Sequence, residues 1–359
     1  DMTLENFEMD TIILASYYGQ SNKITDTIVR NKQGTFLAKG DEMLDGGVYL
    51  VILPPDNKYF ELLIDKEQIF SLTCDVSNPV KTIKTKGSEE NRIFYEYLNF
   101  IAEMRAKAEG IGKRAEMAKD NEVELEKIRE EREGVDNEVS QYIEEVNTKY
   151  PRNIAVLIMN SAKQVEMPNE LTKEDADPLK RYQYYKKHYF DHFDLSDDRL
   201  LRTNFFHKRA IYYVEKLTPQ NPDSLNQSID YLLSSMRQEG DLFKYYLAYF
   251  LNEYAKSKIV GMDAVYVHLV KNYYKKGKAP WTDEETLDKI IENAARLEPI
   301  LIGKTAPDLK LIQKDGTPVV LSKVKSPYTI LYFWDTDCGH CKKASPKMVE
   351  FNDKWDSKG

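Results

Sequence analysis

Tyr328–Met348 reads YTILYFWDTDCGHCKKASPKM, and this stretch decides how the C-terminal part of the chain is read. The run Tyr328 to Trp334 is apolar without polar alternation, which predicts a strand covered on both faces, as in a parallel or mixed α/β sheet. It feeds into Cys338-Gly339-His340-Cys341, beyond which Ala344, Met348, Phe351 and Trp355 recur at helical steps. Strand, loop and helix start therefore put both thiols at a helix N-terminus. Unpaired backbone N–H groups and a partial positive charge there favour the thiolate, the reactive form of cysteine. Cys338 is expected to be the exposed attacking sulfur, and Cys341, one turn later and more buried, the resolving sulfur that displaces a mixed disulfide. His340 adds a donor beside Cys338, whereas Asp335 and Asp337 disfavour a thiolate. Dipole and His340 are expected to prevail.

Composition narrows what such a pair is for. The three cysteines are Cys74, Cys338 and Cys341, too few for a disulfide framework. A bridge across so short a loop removes little unfolded-state entropy, so a purely structural disulfide is disfavoured. Zinc needs about four ligands and no second C-x-x-C is present, so no metal is expected, and nothing calls for a cofactor. His188 and His192 lie four apart on one helical face but lack an H-E-x-x-H signature. Cys74 ends a strand-like run and reads as a small packed hydrophobe. A net charge of −8 gives no electrostatic case for nucleic acid or an anionic membrane surface. No apolar run is long enough to cross a bilayer. The chain begins with Asp rather than Met, so a removed export signal or lipid anchor is compatible with it.

At 359 residues the chain has room for two or three domains, and three textures appear. From Thr11 to Thr85, TIILASYY, KITDTIVR, GTFLAKG, GVYLVILP, YFELLID, QIFSLTCD and KTIKTKG are short bursts bounded by Gly, Pro, Asn or Asp, the pattern of seven strands in a small antiparallel sandwich or barrel. From Ser88 to about Leu301 the apolar period becomes three to four. Phe94 to Ala118 and Leu125 to Val146 predict two long amphipathic helices joined at Lys119–Glu122 as an antiparallel hairpin. Further helices are expected at 152–165, 177–193, 197–217, 222–239, 241–257, 262–275 and 283–297, the last with Thr282 as N-cap and Glu285 completing a capping box. Their many Tyr and Phe read as packing between helices. Pro299, Gly303 and Pro307 close the helical region, and an Asp315-Gly316 turn separates two strand-like runs.

The stretch GKTAPDLKLIQKDGTPVVLSKVKSPYTILYFWDTDCGHCKKASP resembles the thioredoxin fold of the TlpA-like thiol-disulfide oxidoreductases and the related alkyl hydroperoxide reductase/thiol-specific antioxidant group. Gly303, Ala306-Pro307, Gly316, Phe333-Trp334, Cys338, Cys341 and Pro346 fall where that family has them, Pro346 matching the kink proline of its active-site helix. The Gly339-His340 insert is similar to that of oxidising or isomerising thiol enzymes. The upstream regions resemble the strand-rich and helical domains, of unassigned function, that precede such a domain in exported proteins of Bacteroides-type bacteria. Asp337 departs from the Trp usual before the first cysteine, which bears on partner docking. The family also continues past this point with a further strand, a helix, a cis-proline loop and a hairpin. The chain is therefore expected to be a fragment holding about half of that domain.

The resulting expectation is a multidomain chain: an antiparallel β-sandwich-like domain at 1–87, an all-α domain at 88–301, and an incomplete α/β thioredoxin-like fold at 302–359. Its full-length form is expected to be a thiol-disulfide oxidoreductase of the periplasm or cell envelope. It would act on protein disulfides through Cys338 and Cys341 with His340, supported by Trp334, Asp337, Gly339 and Pro346. The partners implied are protein thiols and disulfides and an upstream thiol reductant or oxidant. One alternative is a cell-envelope binding module with secondary or no redox activity. Another is a thiol peroxidase, although peroxiredoxin-type sites place Thr three residues before the attacking Cys, where this chain has Asp335.

Overall fold

The computed structural model describes residues 1–119, 121–313 and 315–356. Asp120 of the expected hairpin turn, Lys314 of the expected strand–turn–strand and residues 357–359 lie outside the described residues. The chain divides into two compact units, Asp1–Leu301 and Ile302–Gly359.

The first unit opens with strands β1 (Met2–Glu5), β2 (Thr11–Tyr18), β3 (Ser21–Val29), β4 (Gly47–Leu53), β5 (Lys58–Ile64), β6 (Ser71–Asp75) and β7 (Lys84–Lys86), with a single helical turn α1 (Pro79–Thr82) before the last. They form two sheets. One has the order β3-β2-β4-β5 and is antiparallel throughout; the other has the order β1-β6-β7, in which β1 and β6 run parallel, Leu4 beside Cys74. Two expectations are corrected. The strands are not all antiparallel, because β1, upstream of Thr11, joins β6. GTFLAKG is no strand: Phe36 makes isolated bridges to Met2 and Arg30 and sinks its ring fully into the core.

The burst GVYLVIL is apolar on both faces because both are covered. Tyr49, Val51 and Leu53 pack with Phe36, Phe60, Leu72 and Cys74, whereas Val48, with Leu63 of β5, meets Ile93, Phe94, Ile154 and Met159 of the helices that follow. Gly47 admits a close crossing, since a Cβ there would stand 2.4 Å from Cβ of Arg202. Buried Arg202 is bonded to Asp45 (2.5 Å) and Asp241 (3.0 Å), and Arg199 to Asp65 (2.6 Å) and Asp197, tying loop and strand ends to the helical region.

Helices α2 (Glu89–Met117) and α3 (Glu122–Lys149) are the expected hairpin. Their seam holds Met104, Ile111, Ile128 and Ile143, with Phe100 stacked on Tyr142 at 4.2 Å. Pairs Lys107–Glu138 and Arg114–Glu131 cross it on the solvent side. Then come α4 (Ile154–Ser161), α5 (Asn169–Thr172), α6 (Pro178–Lys187), α7 (Phe206–Glu215), α8 (Pro222–Ser235), α9 (Asp241–Ala255), α10 (Asp263–Leu269) and α11 (Glu284–Leu297). Phe206, Phe243, Tyr246 and Phe250 are buried between these helices.

The helix expected over 197–217 is two pieces, a 3-10 turn at Asp198–Arg202 and then α7. Thr203 separates them by donating its hydroxyl to Leu200 O (2.7 Å) and accepting from the Phe206 N–H (3.4 Å), local bonding that competes with a continuous helix. The cap of α11 is Asp283, not Thr282: its carboxylate accepts from the Thr286 N–H at 2.9 Å. No described helix is long and apolar enough to cross a membrane.

In the second unit β8 (Lys310–Ile312) pairs antiparallel with β9 (Pro318–Val320) around the Asp315-Gly316 turn, where Gly316 takes a positive φ of 88°. Helix α12 (Gly339–Asp356) carries Pro346 inside it. Tyr328 to Trp334, expected as a covered strand, forms none. A strand is held by ladder bonds to a neighbour; no described strand of this unit lies beside it, and Phe333 and Trp334 are 75% and 61% exposed.

Candidate active site

The turn that delivers the cysteines is built by Asp335. Its carboxylate accepts from the Asp337 N–H (2.7 Å) and its carbonyl from the Cys338 N–H (3.3 Å), so the chain reverses and enters α12. Gly339 is the first helical residue, which makes Cys338 the residue flanking the helix start, and the Lys342 N–H donates to Cys338 O at 3.1 Å. The Cys341 N–H donates to Cys338 Sγ at 3.2 Å. A sulfur thus sits where a capping oxygen ordinarily accepts from the third helical N–H. Cys338 and Cys341 are bonded as a disulfide, their Cα atoms 5.2 Å apart.

The remaining residues singled out in the sequence are placed less closely. Both cysteines are half-buried, and the greater burial expected for Cys341 is not seen. His340 is exposed at the second helical position, and its ring makes no hydrogen bond among the described residues. Asp337 and Gly339 are exposed; a Cβ on Gly339 would meet nothing within 4 Å, so sterics do not demand glycine there. Trp334 stands exposed before the turn. Pro346 lacks an N–H and leaves the Lys342 carbonyl without its helical donor.

Two residues of the site were not singled out beforehand. Ser345 Oγ donates to Cys341 O (2.8 Å), and the Tyr332 hydroxyl lies 3.1 Å from Ser345 Oγ and 3.4 Å from that same carbonyl. The signals were a hydroxyl tip inside an apolar run and a Ser one helical turn after Cys341.

Other thiol and imidazole groups are engaged elsewhere. Cys74 is fully buried, and burial pushes its thiol up to about 11. His188 pairs with Asp191 (2.6 Å) and His192 contacts Gln164 O (3.2 Å), so the two share no ligand. Among the described residues no three His, Cys, Asp or Glu side chains gather as a metal site.

Comparison with known proteins gives two family matches. Residues 122–297 match a domain of unknown function, DUF5106, and residues 302–359 match the AhpC/TSA family. Among curated proteins the chain is similar to the thiol-disulfide oxidoreductases ResA of Bacillus thuringiensis, Bacillus cereus and Bacillus anthracis, each 36% identical over 62 residues. Those residues are 17% of this chain and 36% of each relative, so the chain spans about a third of the relatives' length. No solved structure matches. The C-terminal unit is therefore AhpC/TSA-like, similar in part to thiol-disulfide oxidoreductases, and it carries its paired cysteines at the start of a helix.

Proposed function

We propose that the chain belongs to a thiol-disulfide oxidoreductase of the cell envelope that acts on protein disulfides through Cys338 and Cys341. It would be organised as a strand-rich part at 1–87, a helical part at 88–301 and a thioredoxin-like part from 302. The observation that carries this reading is Cys338 Sγ at the N-terminus of α12, accepting the Cys341 N–H and bonded to Cys341 Sγ. With the pair reduced, that N–H and the helix end favour a thiolate on Cys338.

The thiolate attacks one sulfur of a protein disulfide. The substrate S–S bond breaks, a Cys338–substrate disulfide forms, and the other substrate sulfur leaves and takes a proton. Cys341 then loses its proton and attacks Cys338 Sγ, closing the Cys338–Cys341 disulfide and releasing the second substrate thiol. The substrate gains two electrons and the pair loses two. An upstream dithiol protein restores the pair; run in reverse, the same steps oxidise substrate thiols. His340 and Asp337 would tune the charge near Cys338, and Trp334 and Pro346 would shape the docking face and the helix.

The test is Cys341→Ser. The expected result is accumulation of protein adducts that mass spectrometry places on Cys338 and that dithiothreitol dissolves. Absence of adducts together with equal, slow alkylation of both cysteines in the unsubstituted protein would overturn the reading. A second reading, a binding module, draws on the α2–α3 hairpin, whose tip exposes Met117 and Val123; it gains if the redox test fails. The extracytoplasmic placement rests on the likeness of the upstream regions to exported proteins. Cell fractionation of the native protein checks it, and recovery in the cytosol would remove it.

A further inference from the structure

In α12 the residue that donates to Cys338 Sγ is itself held by an unusual set of bonds. Cys341 gives its N–H to that sulfur, and its carbonyl receives the Ser345 hydroxyl at 2.8 Å. Ser345 has one hydroxyl proton, already given to Cys341 O, so the single Tyr332 hydroxyl proton is shared between Ser345 Oγ at 3.1 Å and the same Cys341 carbonyl at 3.4 Å. The Tyr332 and Ser345 hydroxyls, meeting at the Cys341 carbonyl, therefore tie the segment before the turn to the first turn of the helix. That turn needs a tie: Pro346 removes the helical bond to the Lys342 carbonyl, so the turn bearing both cysteines is joined to the rest of α12 by one backbone bond fewer.

We infer that Tyr332 and Ser345 are positioning residues that converge on the Cys341 carbonyl, holding this residue so that its N–H stays aimed at the sulfur of Cys338. This rests on the dithiol reading above. Neither hydroxyl touches a sulfur among the bonds of the site, so neither is a catalytic residue. Their effect passes through the direction of one peptide N–H. A hydrogen bond to an anion is the part of the environment that distinguishes thiolate from thiol, so loosening Cys341 raises the pH at which Cys338 becomes reactive and leaves the reactivity of the thiolate once formed.

The experiment follows alkylation of Cys338 by iodoacetamide as a function of pH in the reduced full chain, resolved by mass spectrometry. The variants are Tyr332→Phe, Ser345→Ala, the double variant and Ser345→Thr, with helix content checked by circular dichroism. In Tyr332→Phe and Ser345→Ala the midpoint should move to higher pH, slowing alkylation below the midpoint roughly threefold to tenfold, the worth of one hydrogen bond, with the high-pH plateau unchanged. Because both hydroxyls reach the same carbonyl, the double variant should move the midpoint at least as far as the larger of the two single shifts. Ser345→Thr, which keeps the hydroxyl, should keep the wild-type profile. Unchanged midpoints in both single variants, against a lowered wild-type midpoint, overturn this inference and leave the dithiol reading standing. A wild-type midpoint at the about 8.5 of an ordinary thiol removes the dithiol reading and this inference with it. A lowered plateau instead of a shifted midpoint shows the hydroxyls to be merely structural and also overturns it.

Discussion

Helices α11 and α12 start in the same way with different atoms. In the first unit the Asp283 carboxylate accepts from the Thr286 N–H at 2.9 Å; in the second, Cys338 Sγ accepts from the Cys341 N–H at 3.2 Å. Each acceptor meets the third N–H of its helix. For Asp283 the consequence is visible, since the Thr286 backbone bond holds its carboxyl below the usual aspartate range. The opposite treatment occurs elsewhere in the first unit, at half-buried Glu61 and at fully buried Cys74. Burial raises Glu61 despite bonds from Tyr17 (2.9 Å) and Asn204 (3.0 Å), and burial pushes Cys74 up to about 11. A carboxylate and a thiol are thus each found at a helix start and in an enclosed site. The helix end favours the anion and enclosure penalises it, whichever atom carries the charge.

The largest effect expected from this contrast is in cysteine labelling. At pH 7 a thiol titrating near 11 is thiolate to about one part in 10,000, and Cys74 is also closed to reagent. In the reduced native chain Cys338 should be alkylated at least about a hundredfold faster than Cys74 and ahead of Cys341, with urea bringing Cys74 toward the rate of an ordinary thiol. Time-resolved mass spectrometry of the three cysteines reads this, and comparable native rates for Cys338 and Cys74 would break the comparison.

A smaller effect concerns Glu61, whose folded-state value is raised. Its contribution to stability is fully present below the ordinary glutamate value and is lost as pH rises through the higher folded one. Glu61→Gln keeps an oxygen for Tyr17 and Asn204 and cannot ionise, so it should flatten that loss. Relative to the unsubstituted chain, thermal unfolding should shift upward by a few degrees near neutral pH and little at acid pH. An equal shift at both would show that ionisation is not involved.

The smallest effect separates neighbouring residues before α11. Asp283→Ala should lower the unfolding temperature by a few degrees and Thr282→Ala by less, because Asp283 supplies the capping bond. Asp283 is the lowered case, so its contribution is present above the ordinary aspartate value and disappears as pH falls through the folded one. The difference between the two variants should therefore shrink in acid. A larger loss from Thr282→Ala would restore the capping box read from the sequence.

Much of the architecture was legible from period alone. The change from alternation to a three-to-four step near Ser88 marks where strands give way to helices, and the polar break at Lys119–Glu122 marks the α2–α3 hairpin. Errors arose where a local pattern has two solutions and a distant neighbour chooses. Phe36 sits in a strand-like burst, yet its ring is taken by the core and only isolated bridges form. Residues 197–217 have helical period, yet Thr203 bonds its own backbone and the arginines before it turn to Asp45, Asp65 and Asp241. The run Tyr328–Trp334 has the composition of a central strand but no described neighbour to make it one.

For the candidate site the sequence by itself determined the thiol pair, its spacing and its place before a helical period, because C-x-x-C and a 3.6-residue repeat are local properties of the chain. It also determined that Pro346 breaks one rung of that helix, because proline has no N–H in any fold. Only the tertiary structure decided that Cys338 Sγ takes the capping position, that Tyr332 and Ser345 close on the Cys341 carbonyl, and that Cys74 is shut away beside β1. Hydrogen-bond direction and desolvation depend on where atoms separated in sequence come to rest. These same quantities leave Cys74 enclosed in a core while Cys338 and Cys341 are half-buried and bonded to each other at a helix start.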